Sequence, residues 1–400
     1  MWVVLSARAS RPFMIRSSLL LLCVFVTLGC PKQETYLPPD LVYLYKTYPV
    51  GKNPTSIKSG DLNGDGFSDL ITSNIQGNSL SVLMGNGDGS FQEQRTVQAC
   101  QEPRNLAVVD FNMDRRMDLA VACSGSNQVV IFLGEGNGRF TRGAHYPVHR
   151  TPVDIAYGDY NEDMLPDLVV ALRNDKLQVL LGMGTGKFRL GALYEYGDTP
   201  TSVKTADFNG DEHLDLAVSN GGPMSHAVSI WPGNGDGTFE SPTDYRTGKR
   251  PLGVSFADFN RDRNLDLLVV NGEMNTITVF LGNGDGTFQE GKDSGGDAGP
   301  NHGLAYDFDG DKLSDVAVVN IQSGSMSLLF GKGDGTFHYP PKHYSTPYGP
   351  FALTSLVVAA GRNEQPGLAI ANNAANSVSV FLHHGLKSRG NLEASATPQS

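Results

Sequence analysis

Several things are scarce in this 400-residue sequence, and each scarcity closes off a class of protein. Only 18% of residues are charged, the net charge is −11, and no stretch forms a basic stripe, which argues against a nucleic-acid partner. The apolar run Leu19–Leu28 has ten residues, too few to span a bilayer. Helix start and stop signals are nearly absent. There is no His-Glu-x-x-His and no Gly-x-Ser-x-Gly, and the nine histidines do not cluster at metal spacing. No catalytic constellation emerges, and the chain is not expected to be an enzyme. Cysteine is scarce too: of four, Cys23 and Cys30 lie near the N-terminus, and only Cys100 and Cys123 remain for the folded part.

The N-terminus reads as a targeting segment. Arg8, Arg11 and Arg16 precede the run "LLLLCVFVTL", which ends at Gly29-Cys30; Met14 offers a second start. The end "VTLGC" resembles a bacterial lipobox, in which the cysteine is acylated, although Thr27 stands where an aliphatic residue is usual. Lipidation at Cys30 is the expectation, with ordinary cleavage or an uncleaved anchor as alternatives. All three export the folded part to the cell envelope, in the periplasm, at the outer membrane or on the cell surface. Export favours oxidation, so a Cys100–Cys123 disulfide is expected. The expected layout is a signal segment 1–30, a linker 31–40, a folded domain 41–385 and a polar, disordered tail 386–400.

What is abundant is glycine (47) and proline (22), in a repeating order. "DLNGDGFSDL" at Asp61 returns as "DFNMDRRMDL" at Asp110, "DYNEDMLPDL" at Asp159, "DFNGDEHLDL" at Asp207, "DFNRDRNLDL" at Asp258 and "DFDGDKLSDV" at Asp307. The intervals are 49, 49, 48, 51 and 49 residues, a repeat architecture. A proline stands seven residues before each motif, from Pro54 to Pro300, and Pro350 marks a seventh, degenerate unit. Two apolar strands follow each motif, then a glycine hairpin such as "GNGDGTF". Four strands per unit of about 50 residues predict an all-β protein, a seven-bladed β-propeller of four-stranded blades. The last unit lacks a fourth strand and the chain begins with a spare one, Leu41–Gly51. That strand is expected to close the ring and remove the open sheet edges.

The six copies of D-x-[DN]-x-D-x-x-x-D resemble FG-GAP/VCBS repeats, whose folded form resembles the seven-bladed propeller of integrin α subunits. The resemblance covers roughly residues 40–385. It implies Ca²⁺ bound by side chains at loop positions 1, 3, 5 and 9, as an all-oxygen set suits. In blade one these are Asp61, Asn63, Asp65 and Asp69; in blade two Asp110, Asn112, Asp114 and Asp118. Blade three offers Asp159, Asn161, Asp163 and Asp167, and blade four Asp207, Asn209, Asp211 and Asp215. Blade five offers Asp258, Asn260, Asp262 and Asp266, and blade six Asp307, Asp309, Asp311 and Asp315. Up to six structural Ca²⁺ ions would offset most of the acidity. Turns without an ion are the alternative. Position 6 is glycine only in blade one, so blade one is expected to bind tightest.

Strand direction puts the carboxylate loops and glycine hairpins on one rim. The opposite rim is more variable and is the expected ligand face. It carries Arg104, His149, Arg150, Arg173, Asn174, Asn220, His226, Arg250, Asn271, Asn275, His302, Asn320, Asn372 and Asn373. Amides and cations there suit a protein or carbohydrate ligand, or the asparagines simply satisfy turns. "KDSGGDAGP" (Lys292–Pro300) echoes the nucleophile loop of trypsin-like proteases without its companion histidine and aspartate. The leading expectation is a monomeric, calcium-binding, non-catalytic binding or adhesion module, membrane-attached through lipid alone. A propeller-type polysaccharide lyase and a structural envelope component are the alternatives.

Overall fold

The computed structural model describes residues 39–195, 198–222, 226–358 and 365–383. The leader with Cys30, linker residues 31–38, Glu364, His384 and the tail from 386 lie outside them. Among the described residues every regular element is a strand, and no helix is long and apolar enough to cross a membrane.

The strands form seven four-stranded antiparallel sheets. In blade one they are Pro54–Gly60, Asp69–Asn74, Ser79–Leu83 and Arg95–Gln98, in that spatial order. Each later blade repeats this plan about 50 residues on. Blade seven takes Pro350–Val358, Gln365–Asn372 and Ser377–His383 from the C-terminal end and Val42–Pro49 from the N-terminal end. The first strand of the chain therefore seals the ring, with Tyr48 opposite Val378.

Burial follows the radial order. The second strand of blades one to six is fully buried, the reason that "DLAVSN"-type segments carry no polar alternation. The fourth strand of blade one is largely exposed. Each innermost strand opens on its proline, where no N–H is needed, and the pairing slips within the next residues.

The core lies between blades. Leu62, Ile71 and Val82 of blade one pack against Leu106, Val121 and Phe132 of blade two. Ile57 and Leu70 meet Leu356, Ala371 and Val380 where the ring closes. A second inter-blade device was not expected from the sequence. The tyrosine of one blade's outer strand accepts a hydrogen bond from the backbone N–H of the next hairpin's phenylalanine. Tyr48 takes Phe91 N at 2.9 Å, Tyr146 takes Phe188 N at 2.8 Å, Tyr194 takes Phe239 N at 2.7 Å and Tyr245 takes Phe288 N at 3.2 Å. The rings meet edge to face, with centroids 5.3–6.1 Å apart. Blade one has Val97 at the corresponding place. That junction instead carries the Cys100–Cys123 disulfide, with Cα atoms 5.8 Å apart.

Candidate functional site

Each carboxylate loop links the innermost strand to the fully buried second strand. Its ninth residue is buried in all six blades, and both its oxygens are engaged. Oδ2 of Asp69, Asp118, Asp167, Asp215, Asp266 and Asp315 accepts the N–H of the loop's second residue at 2.7–3.0 Å. Oδ1 accepts the N–H of the first hairpin glycine, Gly85 to Gly331, at 2.6–2.8 Å. The close approach requires glycine: a Cβ on Gly85 would stand 2.3 Å from the Ser68 carbonyl oxygen. This carboxylate thus ties loop, second strand and hairpin together.

The first residue closes the turn. Its Oδ2 accepts the N–H of position 6 at 2.6–3.0 Å in every blade. The fifth residue's Oδ1 accepts the N–H of position 7 at 2.7–2.9 Å. Position 6 has positive φ in all six loops: Gly66, Arg115, Met164, Glu212, Arg263 and Lys312 lie between 65° and 82°. Position 4 does too, including Met113, Glu162 and Arg261, a requirement the sequence reading missed. Every loop adopts this conformation, so the side chains at position 6 of blades two to six carry the backbone strain that Gly66 in blade one escapes.

The loops differ in charge. In blades one to five the position-3 asparagine donates its amide to the position-5 carboxylate at 2.7–3.0 Å. In blade two Arg116 also clasps Asp114, with Nη2–Oδ2 2.6 Å, and holds that carboxyl below its usual range. Blade six has Asp309 in place of the asparagine. There oxygens of Asp307, Asp309 and Asp315 lie within 4.8 Å of one another. Burial, then repulsion from Asp309 and Asp311, pushes Asp315 up to about 7 despite its two backbone bonds. An all-oxygen set of mutually repelling carboxylates fits a hard divalent cation.

The other feature is the central channel, lined by the innermost strands. On the loop-rich side it widens to a cavity of about 410 Å³. A second space of about 380 Å³ lies towards the carboxylate rim, and Lys58 of blade one and Lys204 of blade four line both. Arg104, Arg173 and Arg250, from blades two, three and five, line the loop-rich cavity. Asp154 is buried in its wall. It accepts from the Asn105 amide, from Ile155 N at 2.9 Å and from Val203 N at 2.9 Å, with Lys204 Nζ 3.8 Å away. Burial, reinforced by Lys204, lowers Lys58 to about 8; burial with both lysines lowers His302 to about 3, leaving its imidazole neutral.

A family model for the FG-GAP-like repeat matches five overlapping stretches, residues 61–121, 110–170, 159–218, 207–269 and 258–318. The chain belongs to the FG-GAP-like repeat family. A search of curated protein sequences finds no match. Among solved structures, this FG-GAP chain is similar to BBS1N in complex with ARL6DN, soaked with mercury. The TM-score is 0.62 at 12% identity, over 85% of this chain and 96% of that one. The lead-soaked crystal of the same complex gives 0.58 at 13% identity, over 85% and 96%. A functionally unknown protein from Desulfotomaculum acetoxidans DSM 771 gives 0.59 at 12%, over 78% and 90%. At these identities the likeness concerns the fold.

In this FG-GAP propeller most rim asparagines expected at the ligand face are engaged within the protein. Asn220, Asn271, Asn320 and Asn372 are buried and donate to serine or threonine hydroxyls of the neighbouring strand. Asn275 accepts Gly299 N at 2.9 Å, and Asn373 donates to Asn53 and the Pro54 carbonyl. His149 and Arg150 are exposed on the rim. Arg104, Arg173, Arg250 and His302 do converge on the cavity. Lys58, Asp154 and Lys204, absent from the sequence expectation, join them. Their signal was a fixed offset from each proline: two residues for Asp154 and His302, four for Lys58 and Lys204.

Proposed function

We propose that this chain is an exported, calcium-loaded propeller that acts as a non-catalytic binding module at the cell envelope, held there by a lipid on Cys30. The carrying observation is the division between its rims: repeated carboxylate loops on one, and a cavity ringed by side chains from several blades on the other. Ca²⁺ would be held by positions 1, 3, 5 and 9 and would cross-link each loop to the strand behind it. Blade six, with four carboxylates and no amide, would bind first, and blade two, with Arg116 on Asp114, late. The loop-rich rim would take a protein partner. BBS1N, a propeller of similar fold, was solved with ARL6DN, which supports that class of ligand over others.

The test is thermal unfolding with Ca²⁺ and with EDTA, alongside metal counting by mass spectrometry. Several calcium ions per chain and a large loss of stability in EDTA are expected. An unchanged melting curve with no bound metal would refute the calcium reading. For the anchor, Cys30→Ala should move the protein from the membrane to the soluble fraction; continued membrane retention would refute lipidation.

A further inference from the structure

The channel is an electrostatic anomaly. The chain as a whole is acidic, at −11, yet five cationic side chains from five blades line the loop-rich cavity. The one carboxylate among its described lining residues, Asp154, already accepts three hydrogen bonds. Among the described residues no carboxylate lies within ion-pairing distance of Lys58, Arg104, Arg173 or Arg250. Arg104 Nε is buried without a hydrogen-bond partner. Like charges gathered in a half-enclosed space are unfavourable unless an anion enters between them. Burial first, and then repulsion from Lys204, lower the pKa of Lys58.

We propose that the loop-rich end of the central channel is a binding site for a small organic anion bearing two or more carboxylates. This rests on reading that rim as the ligand face, and gives its ligand a chemistry. The volume, about 410 Å³, suits a small molecule. Guanidinium groups at the mouth match carboxylates in a two-pronged geometry, while the lysines supply charge deeper in. The cations come from separate blades around the ring, so they suit negative groups spread over a molecule. A compact phosphate is bound by clustered backbone N–H groups or a helix N-terminus, and here the N–H groups of Ile155 and Val203 are taken by Asp154 and that of Leu106 by Asn105.

The test is calorimetric titration of the full chain in calcium-containing buffer with tricarballylate, digalacturonate, sulfate and a hexaglutamate peptide. Wild type is compared with Arg173→Ser/Arg250→Ser, with Lys204→Met and with Arg189→Ser, an exposed residue on the outer strand of blade three. Both arginines at the mouth are exposed, so their replacement should leave the melting temperature unchanged. Tricarballylate or digalacturonate should bind, more weakly as salt rises. Preference between the two tells a free acid from an acidic sugar. The double variant should bind about 10- to 100-fold more weakly, and Arg189→Ser like wild type. Three results would overturn the proposal: neither polycarboxylate binds, all variants bind equally, or sulfate or hexaglutamate alone binds. A pull-down on the same samples separates the two readings. A partner retained by wild type and double variant, without polycarboxylate binding, sinks the anion site alone. A rim that captures nothing in either assay sinks both.

Discussion

Replacing Asp266 by alanine isolates what the ninth loop residue does without a metal. Asp266 is fully buried; it accepts Phe259 N at 2.7 Å and Gly282 N at 2.8 Å. Alanine removes both acceptors and leaves the two N–H groups without their partner. Each orphaned donor costs about 1–3 kcal/mol, so the loss in EDTA should be roughly 2–6 kcal/mol. Unfolding entropy of ~2.1 cal/mol/K per residue over ~340 residues converts ~4 kcal/mol into a melting shift of about 6 °C. The contrast is Asp262→Ala, the exposed fifth residue, whose loss in EDTA should stay near 1 kcal/mol. The assay is urea and thermal unfolding of both variants in EDTA and then in Ca²⁺. In Ca²⁺ both losses should grow, because each variant would also lose a metal ligand. If Asp266→Ala in EDTA fell within about 1 kcal/mol of wild type, the claim that this carboxylate welds loop to hairpin would be wrong.

Other perturbations address the junctions and the channel. Replacing both Cys100 and Cys123 by serine should cost about 3 kcal/mol more under oxidising conditions than under reducing ones, read by the urea midpoint. Tyr194→Phe keeps the ring against Phe239 but strands that residue's N–H; a loss of about 1–3 kcal/mol is expected, and none would mean the hydroxyl is dispensable. His302 titrates at about 3 when folded and near 6.5 when unfolded. Between these values the unfolded chain takes up a proton and the folded one does not, so stability falls as pH drops. Beside Lys58, Lys204 and Asp154, the group should remove roughly 2 kcal/mol between pH 6.5 and 5. His302→Gln should flatten that part of the stability–pH curve, and an unchanged slope would refute the assignment.

The ring was legible because a propeller writes its period into the chain. Prolines seven residues ahead of each loop and a glycine hairpin after each strand pair left little choice of topology. The spare N-terminal strand was legible because a closed ring has no other place for it. Less legible was what each loop residue does. Asp69 and its equivalents read as metal ligands of the same kind as Asp61, because sequence cannot show that Gly85 brings its N–H to within 2.7 Å of Asp69. The positive φ at position 4 was hidden because Met113, Glu162 and Arg261 occupy it despite the cost to a side chain, held by the same turn as Gly64.

The channel was hidden for a different reason. Lys58 and Lys204 are nearly 150 residues apart and each reads as an ordinary polar residue of an inner strand. Only closure of the ring makes them neighbours. Asparagine shows the converse error: it looked like ligand chemistry because it clusters in rim loops, but Asn74 donates to Ser79 and Ser81, and four later asparagines do the equivalent work. A residue repeated at the same place in most blades serves what all blades share, the architecture. A residue such as Arg104, Asp154 or His302 occurs once at its ring position while its counterparts are other residue types. It has no architectural duty common to the repeat, and its polarity must be explained by the one space all seven blades enclose.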